Sequence, residues 1–220
     1  MTVTLETIKQ DPEVQCYIKL ANQYLNQMGF TEHGFRHVNL VAEKARAILT
    51  SLRYPAREAE LGAIAGYLHD LGNVICRSDH NQTGAILAFH LLNKLGMDPG
   101  EIGMIIAAIG NHDEGEGQMV NSLSAALVLA DKTDVHRERV RNQDFATFDI
   151  HDRVNYAVES SSLEIDGENR VFTLVLEIDQ RIVPVIEYFE IFMSRMLMCR
   201  RAANFLDSTF SIVINGAKLL

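Results

Sequence analysis

Cysteine is scarce in this sequence of 220 residues. The three cysteines, Cys16, Cys76 and Cys199, are far apart and form no Cys-x-x-Cys pair. An odd number of isolated cysteines indicates neither a disulfide framework nor a zinc site built from thiolates. We therefore expect a protein of a reducing compartment.

Basic residues are outnumbered as well. Twenty Lys and Arg stand against 29 Asp and Glu, which gives a formal net charge of -9. Proteins that bind nucleic-acid polymers do so through clustered Lys and Arg. A nucleic-acid polymer is therefore not an expected partner, whereas a small nucleotide held by a metal ion stays compatible with this charge.

Long apolar runs are missing. The first twenty residues contain five charged side chains and no apolar core of a signal peptide, and no uncharged stretch has the length of a membrane span. We expect a cytoplasmic protein that does not associate with membranes.

Only four prolines interrupt the chain, and helical periodicity dominates residues 1–142. This part is predicted to be a helical, metal-binding domain. The predicted helices cover 12–28, a segment opened by Thr31 or Gly34 that continues through Ile48, then 56–71, 80–95, 99 to about 110, and 122 to about 140.

The pattern changes after about Gln143, and residues 143–220 are predicted to form a small α+β subdomain. Strands at 162–165 and 170–178 flank a turn at 166–169, a long helix covers 184–206, and a last strand covers 209–214. The long helix is apolar on most of its sides, so it must be buried on more than one. Two explanations stay open: the hairpin and the helical domain cover it, or it mediates a homodimer or a regulatory contact.

The dipeptide His69-Asp70 is the chemical centre of the sequence. It closes an apolar run from Leu61 to Leu68. An imidazole and a carboxylate at the end of a buried helix are costly to desolvate unless a partner compensates them. A divalent cation is the obvious partner.

Further groups of the same chemical type follow at intervals along the chain. They are His37, His80, His112 and Asp131, each at an end of a predicted helix. Metal sites in helical bundles take single ligands from separate helices, and mixed imidazole and carboxylate ligands suit iron, manganese or zinc. Six groups exceed the needs of one tetrahedral ion, so we predict two divalent ions bridged by Asp70. His33 is an outside candidate for a further metal or for substrate contact.

The order of these residues resembles the HD superfamily of metal-dependent phosphohydrolases. The resemblance covers about residues 31–141 and depends on His37-Val38-Asn39-Leu40-Val41-Ala42, Tyr67-Leu68-His69-Asp70-Leu71-Gly72 and Val128-Leu129-Ala130-Asp131-Lys132. His80 and His112 are similar to the extra ligands of the two-metal branch, which includes symmetrical diadenosine tetraphosphate hydrolases and HD-GYP phosphodiesterases. The chain has Asn111-His112-Asp113-Glu114 where the HD-GYP group has paired histidines, and it has no Gly-Tyr-Pro after Gly115.

The resemblance implies a mainly α fold with an HD-type helical bundle. The C-terminal extension, made of a β-hairpin, a long helix and a strand, is predicted from the residue pattern alone, because residues after about 143 resemble no family. It implies that His37, His69, Asp70 and Asp131 hold one ion, while Asp70, His80 and His112 hold the other. The expected ions are iron or manganese, with zinc, nickel or magnesium as alternatives.

The implied reaction is hydrolysis of a small phosphate ester, a nucleotide or dinucleotide, by metal-activated water. Asp70 and Lys132 are the predicted catalytic residues, and Arg36, Arg77 and Asp113 the predicted substrate contacts; a solvated surface charge is the alternative for both arginines. Two other functions stay open. One is a di-iron oxygenase of the same superfamily, and the other is a non-catalytic, metal-bearing regulatory module.

Overall fold

The computed structural model describes residues 2–115, 117–142 and 144–219. It confirms a mainly α fold with a small C-terminal α+β extension. The described helices are α1 Leu5–Gln10, α2 Pro12–Gln27, α3 Phe35–Ser51, α4 Ala56–Leu68, α5 His80–Lys94, α6 Pro99–Gly110, α7 Ser122–Lys132, α8 Ile150–Ala157 and α9 Val185–Phe205. The described strands are β1 Val158–Asp166, β2 Val171–Ile178, β3 Thr209–Ile214 and β4 Ala217–Lys218.

Local signals explain where several helices begin. Asp11 caps α2 because its carboxylate accepts hydrogen bonds from the backbone amides of Glu13 and Val14, with Pro12 in the first turn. Asp98 caps α6 in the same way. Gly34, not Thr31, precedes α3, so His37 is the third residue of that helix. Helices α1 and α8 were not predicted.

Helix α4 ends at Leu68, three residues earlier than predicted, and a 3-10 turn at Leu71–Val74 follows Asp70. The turn passes so close to the start of α5 that a Cβ atom on Gly72 would overlap the carbonyl oxygen of His80. A continuing α-helix would not allow this approach. Gly66 serves a similar purpose, because its missing side chain lets α4 lie against the backbone of α3 at Ala42.

Helix α5 begins at His80 as predicted, although the preceding Asp79 adopts a left-handed conformation with φ of 54° and does not cap the helix with its side chain. One other predicted boundary is wrong, because helix α7 ends at Lys132 and not near Val140. The chain leaves the helix because the following residues bind the start of α3: the Asp134 carboxylate contacts His37, and the Arg139 guanidinium donates to the carbonyl of Glu32.

The C-terminal extension contains a sheet with strand order β1-β2-β3-β4. Strands β1 and β2 form the predicted antiparallel hairpin, with Asp166 opposite Val171. Strand β3 runs parallel to β2, and α9 makes the crossover between them. The prediction of three strands missed the two-residue β4, which pairs antiparallel with β3 after a turn at Gly216.

One apolar core extends from the helices into the extension, since Leu129 of α7 and Phe192 of α9 belong to the same cluster of buried residues. Helix α9 packs on α7, α8 and β3 and leaves Ile186, Met193 and Leu197 exposed. The division at 142/143 stays a prediction, and Gln143 itself lies outside the described residues. The homodimer also stays a prediction. Within the described ranges, no helix combines the length and the apolarity needed to cross a bilayer.

Candidate metal centre

The fold brings all six predicted metal ligands to one place. His37 comes from the first turn of α3, His69 and Asp70 from the end of α4, His80 from the start of α5, His112 from the residues after α6, and Asp131 from the last turn of α7. The four imidazoles and Asp70 are buried, and Asp131 is partly buried. The cluster therefore lies where five helices meet.

The ligand atoms form two groups. In the first, His37 Nε2 lies 3.3 Å from His69 Nε2 and 3.3 Å from Asp131 Oδ1. In the second, His80 Nε2 lies 3.2 Å from His112 Nε2. Asp70 joins the groups, because Oδ2 lies 3.3 Å from His69 Nε2 and Oδ1 lies 3.6 Å from His80 Nε2.

Each of the four imidazoles presents the same nitrogen to the cluster. The Nδ1 atoms face oxygen atoms that can only accept: Asp134 Oδ2 for His37, and the carbonyl oxygens of Gly66, Arg77 and Ile109 for the other rings, at distances of 2.7, 2.8, 3.1 and 2.6 Å respectively. Nδ1 therefore carries the proton, and the Nε2 lone pair of each neutral ring points inward.

This arrangement fits divalent cations. Two ligand atoms about 2.1 Å from one ion are separated by about 3.0 to 3.4 Å for angles of about 90 to 109° at the ion. The nitrogen pairs match that spacing, and two inward lone pairs cannot hydrogen-bond to each other. Asp70 Oδ2 is buried and has no hydrogen-bond partner among the described residues. Three overlapping groups, His37-His69-Asp70, His69-His112-Asp131 and Asp70-His80-His112, each hold donor atoms within 4.8 Å of one another.

The two carboxylates of the cluster stay charged despite their burial. Burial alone would raise the pKa of Asp70, yet the neighbouring His69 holds it well below its ordinary value. The pKa of Asp131 is likewise well below its ordinary value, because Lys132 and His37 outweigh its burial. The two carboxylates raise the pKa of His69 against the effect of its burial. Both carboxylates therefore stay charged in a buried site.

Lys132 is part of this centre and not a solvated surface charge. It is buried, with Nζ 2.9 Å from Asp131 Oδ2 and 3.4 Å from Glu114 Oε1. Glu114 also contacts Arg195 of α9 at 2.7 Å. These contacts tie the C-terminal helix to the metal centre.

The predicted substrate contacts divide into two kinds. Arg77 lines a small central cavity of about 20 Å³ beside the cluster, which has room for one water-sized group. Arg36 does not line that cavity; it pairs with Asp134 at 2.8 Å and Glu32 at 3.0 Å. Asp113 does not line it either. Glu114, which follows it, makes the contacts to Lys132 and Arg195.

Three residues of the site were not predicted from the sequence. Asp134 supports His37, and Arg139 and Arg195 line the central cavity with Arg77. Asp134 follows Asp131 by three residues, which is a weak signal on a helix, but nothing local marks the two arginines. His33, the outside candidate, also lines the cavity, and its ring centroid lies 5.5 Å from that of His37.

Comparisons with known proteins do not identify a family for this chain. No family model matches the chain. An uncharacterized protein of Methanocaldococcus jannaschii is 27% identical over 159 residues, which cover 62% of this chain and 60% of that protein. The chain thus spans about 60% of the length of the curated relative that it matches.

One solved structure has partial similarity to this chain. It is the crystal structure of a predicted HD superfamily hydrolase from an uncultured Thermotogales bacterium, with 22% identity, a TM-score of 0.44, and coverage of 60% of this chain and 73% of that chain. A TM-score of 0.44 is too low to transfer the site or the function of that protein to this chain.

Proposed function

We propose that the protein is a metal-dependent phosphohydrolase of the HD type that cleaves a small phosphate ester, a nucleotide or dinucleotide. The observation that carries the proposal is the position of Asp70, whose Oδ2 lies 3.3 Å from His69 Nε2 and 3.6 Å from His37 Nε2, while its Oδ1 lies 3.6 Å from His80 Nε2. The sequence resemblance to the HD superfamily at His37, His69-Asp70 and Asp131 agrees with this assignment.

Two sets of residues would each hold one metal ion. His37, His69 and Asp131 would hold one, His80 and His112 the other, and Asp70 would bridge them. When bound there, two divalent cations would supply Lewis acidity and the activation of water that hydrolysis of a phosphate ester needs at neutral pH. Asp134 orients His37, while the backbone carbonyls behind the other rings keep their Nε2 atoms directed inward.

Positive side chains beside the cluster favour an anionic substrate. Arg77, Arg139, Arg195 and Lys132 all line the central cavity. Guanidinium groups bind phosphoryl oxygens with two hydrogen bonds, and fixed positive charges stabilise the charge that develops during transfer. A neutral polyol, the substrate expected of the oxygenase alternative, has no negative charge for these side chains to bind.

The test combines metal content with phosphate release. Protein purified without chelator is expected to contain two metal ions per chain by elemental analysis and to release phosphate from members of a nucleotide and dinucleotide panel in manganese or ferrous iron. Asp70→Asn should lose metal and turnover together. Asp207→Asn is the matched control, because Asp207 is exposed and has a φ of 51°, which asparagine tolerates.

Other outcomes would contradict the proposal. Full metal content without phosphate release would favour the regulatory module, and oxygen consumption with a polyol would favour the oxygenase. No metal under any loading condition would refute the ligand assignment itself.

A further inference from the structure

An outer cavity of about 430 Å³ lies next to the small central cavity at the metal centre. It shares four lining residues with the central cavity: His33, Arg77, Arg139 and Arg195. Its volume lies in the ordinary range of small-molecule sites. If a phosphate group reaches the metal centre, the rest of the same molecule must occupy this cavity.

The inner end of the outer cavity is positive and held rigidly. Arg77 lies over the ring of Phe30, with 5.6 Å between its guanidinium carbon and the ring centroid, and Arg195 lies over the ring of Phe192 at 4.7 Å. Arg139 is buried and anchored by the carbonyl oxygens of Glu32 and Asp134. Aromatic faces attract guanidinium groups and restrict their orientation. The guanidinium groups of the three arginines are therefore preorganised to bind one phosphate group.

The outer wall has the opposite charge. Asp149 and Asp152, at the start of α8, line the outer cavity. Their side chains accept hydrogen bonds from neutral groups, the backbone amide of Asp152 and the side-chain amide of Asn142. Arg153, which follows Asp152, turns away to pair with Glu187 of α9 at 3.3 Å.

Neither carboxylate is therefore neutralised by a cation among the described residues. Burial, and then the charge of Asp149, raise the pKa of Asp152. A further negative charge at this wall would be unfavourable, because like charges brought together at a binding site repel each other. Hydroxyl and amino groups of a bound molecule could instead donate hydrogen bonds to the carboxylates of Asp149 and Asp152.

We propose that the outer cavity binds the alcohol part of a phosphate monoester that carries hydroxyl or amino groups, and that Asp149 and Asp152 exclude a second phosphate group. This proposal rests on the proposed function, since it needs the first phosphate at the metal centre. It narrows the substrate from a nucleotide or dinucleotide to compounds with a single phosphoryl group. It also assigns substrate selection to α8, outside the stretch that resembles the HD superfamily.

The test measures binding, without turnover, in metal-loaded protein. The probes are two phosphonate analogues of one nucleoside, one with a single 5′-phosphonate and one with phosphonates at both the 5′ and 3′ positions, so that neither is hydrolysed during calorimetric titration. The native protein should bind the single phosphonate more tightly. In the double variant Asp149→Asn, Asp152→Asn this preference should fall roughly tenfold.

The variants distinguish the effect of the two cavity carboxylates from a loss of helix capping and from a general change in net charge. Asparagine also caps helices, so Asp149→Asn preserves the start of α8. Glu164→Gln with Glu168→Gln is the matched control, because it removes two negative charges from exposed positions on the hairpin. The control should keep the native preference.

Three results would overturn the proposal: equal or tighter binding of the double phosphonate by the native protein, an unchanged preference in the double variant, or no binding of either probe. Failure of the proposed function is visible separately. In that case no ester in the panel releases phosphate, while the binding preference and its response to the double variant persist.

Discussion

Asp134 Oδ2 accepts a hydrogen bond from His37 Nδ1 at 2.7 Å, across 97 residues of sequence. The carboxylate is buried, and burial would raise its pKa, but Arg139 and His37 hold it well below the ordinary value. It therefore stays charged and fixes both the tautomer and the orientation of His37.

Removing that charge should weaken metal binding. We expect Asp134→Asn to lower metal affinity about 10- to 100-fold, measured by competition with a chromophoric chelator, because an amide neither polarises His37 nor fixes its ring as strongly. Arg36→Gln is the control, since it breaks the pairings of Arg36 with Asp134 and Glu32 but leaves the hydrogen bond between Asp134 and His37 in place. Equal affinity in the native protein and Asp134→Asn would show that Asp134 is a structural residue only.

The close approach at Gly72 should be intolerant of a methyl group. Gly72→Ala would push the Leu71–Val74 turn away from the backbone of α5, and we expect it to destabilise the fold by about 1 to 3 kcal/mol in urea denaturation. Gly103→Ala in α6 is the comparison, because a Cβ atom there meets nothing within 4 Å and alanine favours helix. Gly103→Ala should be neutral or stabilising; similar losses in both variants would refute the packing argument.

Arg195 should support the reaction from the C-terminal helix. Arg195→Gln is expected to reduce kcat/KM roughly 100-fold, because one fixed charge beside the phosphoryl group is lost. Arg200→Gln, at an exposed position five residues further along α9, should leave kcat/KM unchanged. A loss that follows reduced thermal stability in both variants would indicate a general effect on α9.

The three thiols should differ in reactivity. Burial raises the pKa of Cys199 to about 12, so this thiol has almost no thiolate at neutral pH, whereas Cys16 and Cys76 are exposed. A colourimetric thiol reagent should modify two cysteines in the native protein and the third only after unfolding. Rapid modification of all three would place Cys199 outside the core.

Much of the helical domain follows from local sequence. Asp11-Pro12 and Asp98-Pro99 mark helix starts because a side-chain cap and a proline act within one turn. The six candidate ligand residues could also be proposed from the sequence, because the buried imidazole next to a carboxylate at His69-Asp70 needs compensation and further His and Asp residues stand at ends of predicted helices. Their order along the chain carried the resemblance to the HD superfamily.

Only the tertiary structure decided how these groups face one another. Three of the Nδ1 acceptors are carbonyl oxygens three residues earlier in the chain, but the Asp134 partner of His37 is 97 residues away. Arg195 reaches the cavity because α9 packs on α7, and Arg139 reaches it because the carbonyl oxygens of Glu32 and Asp134 hold its guanidinium; no periodicity indicates either contact. The sequence by itself determined which chemical groups were available; their distances, charges and neighbours came from contacts between segments that no local pattern encodes.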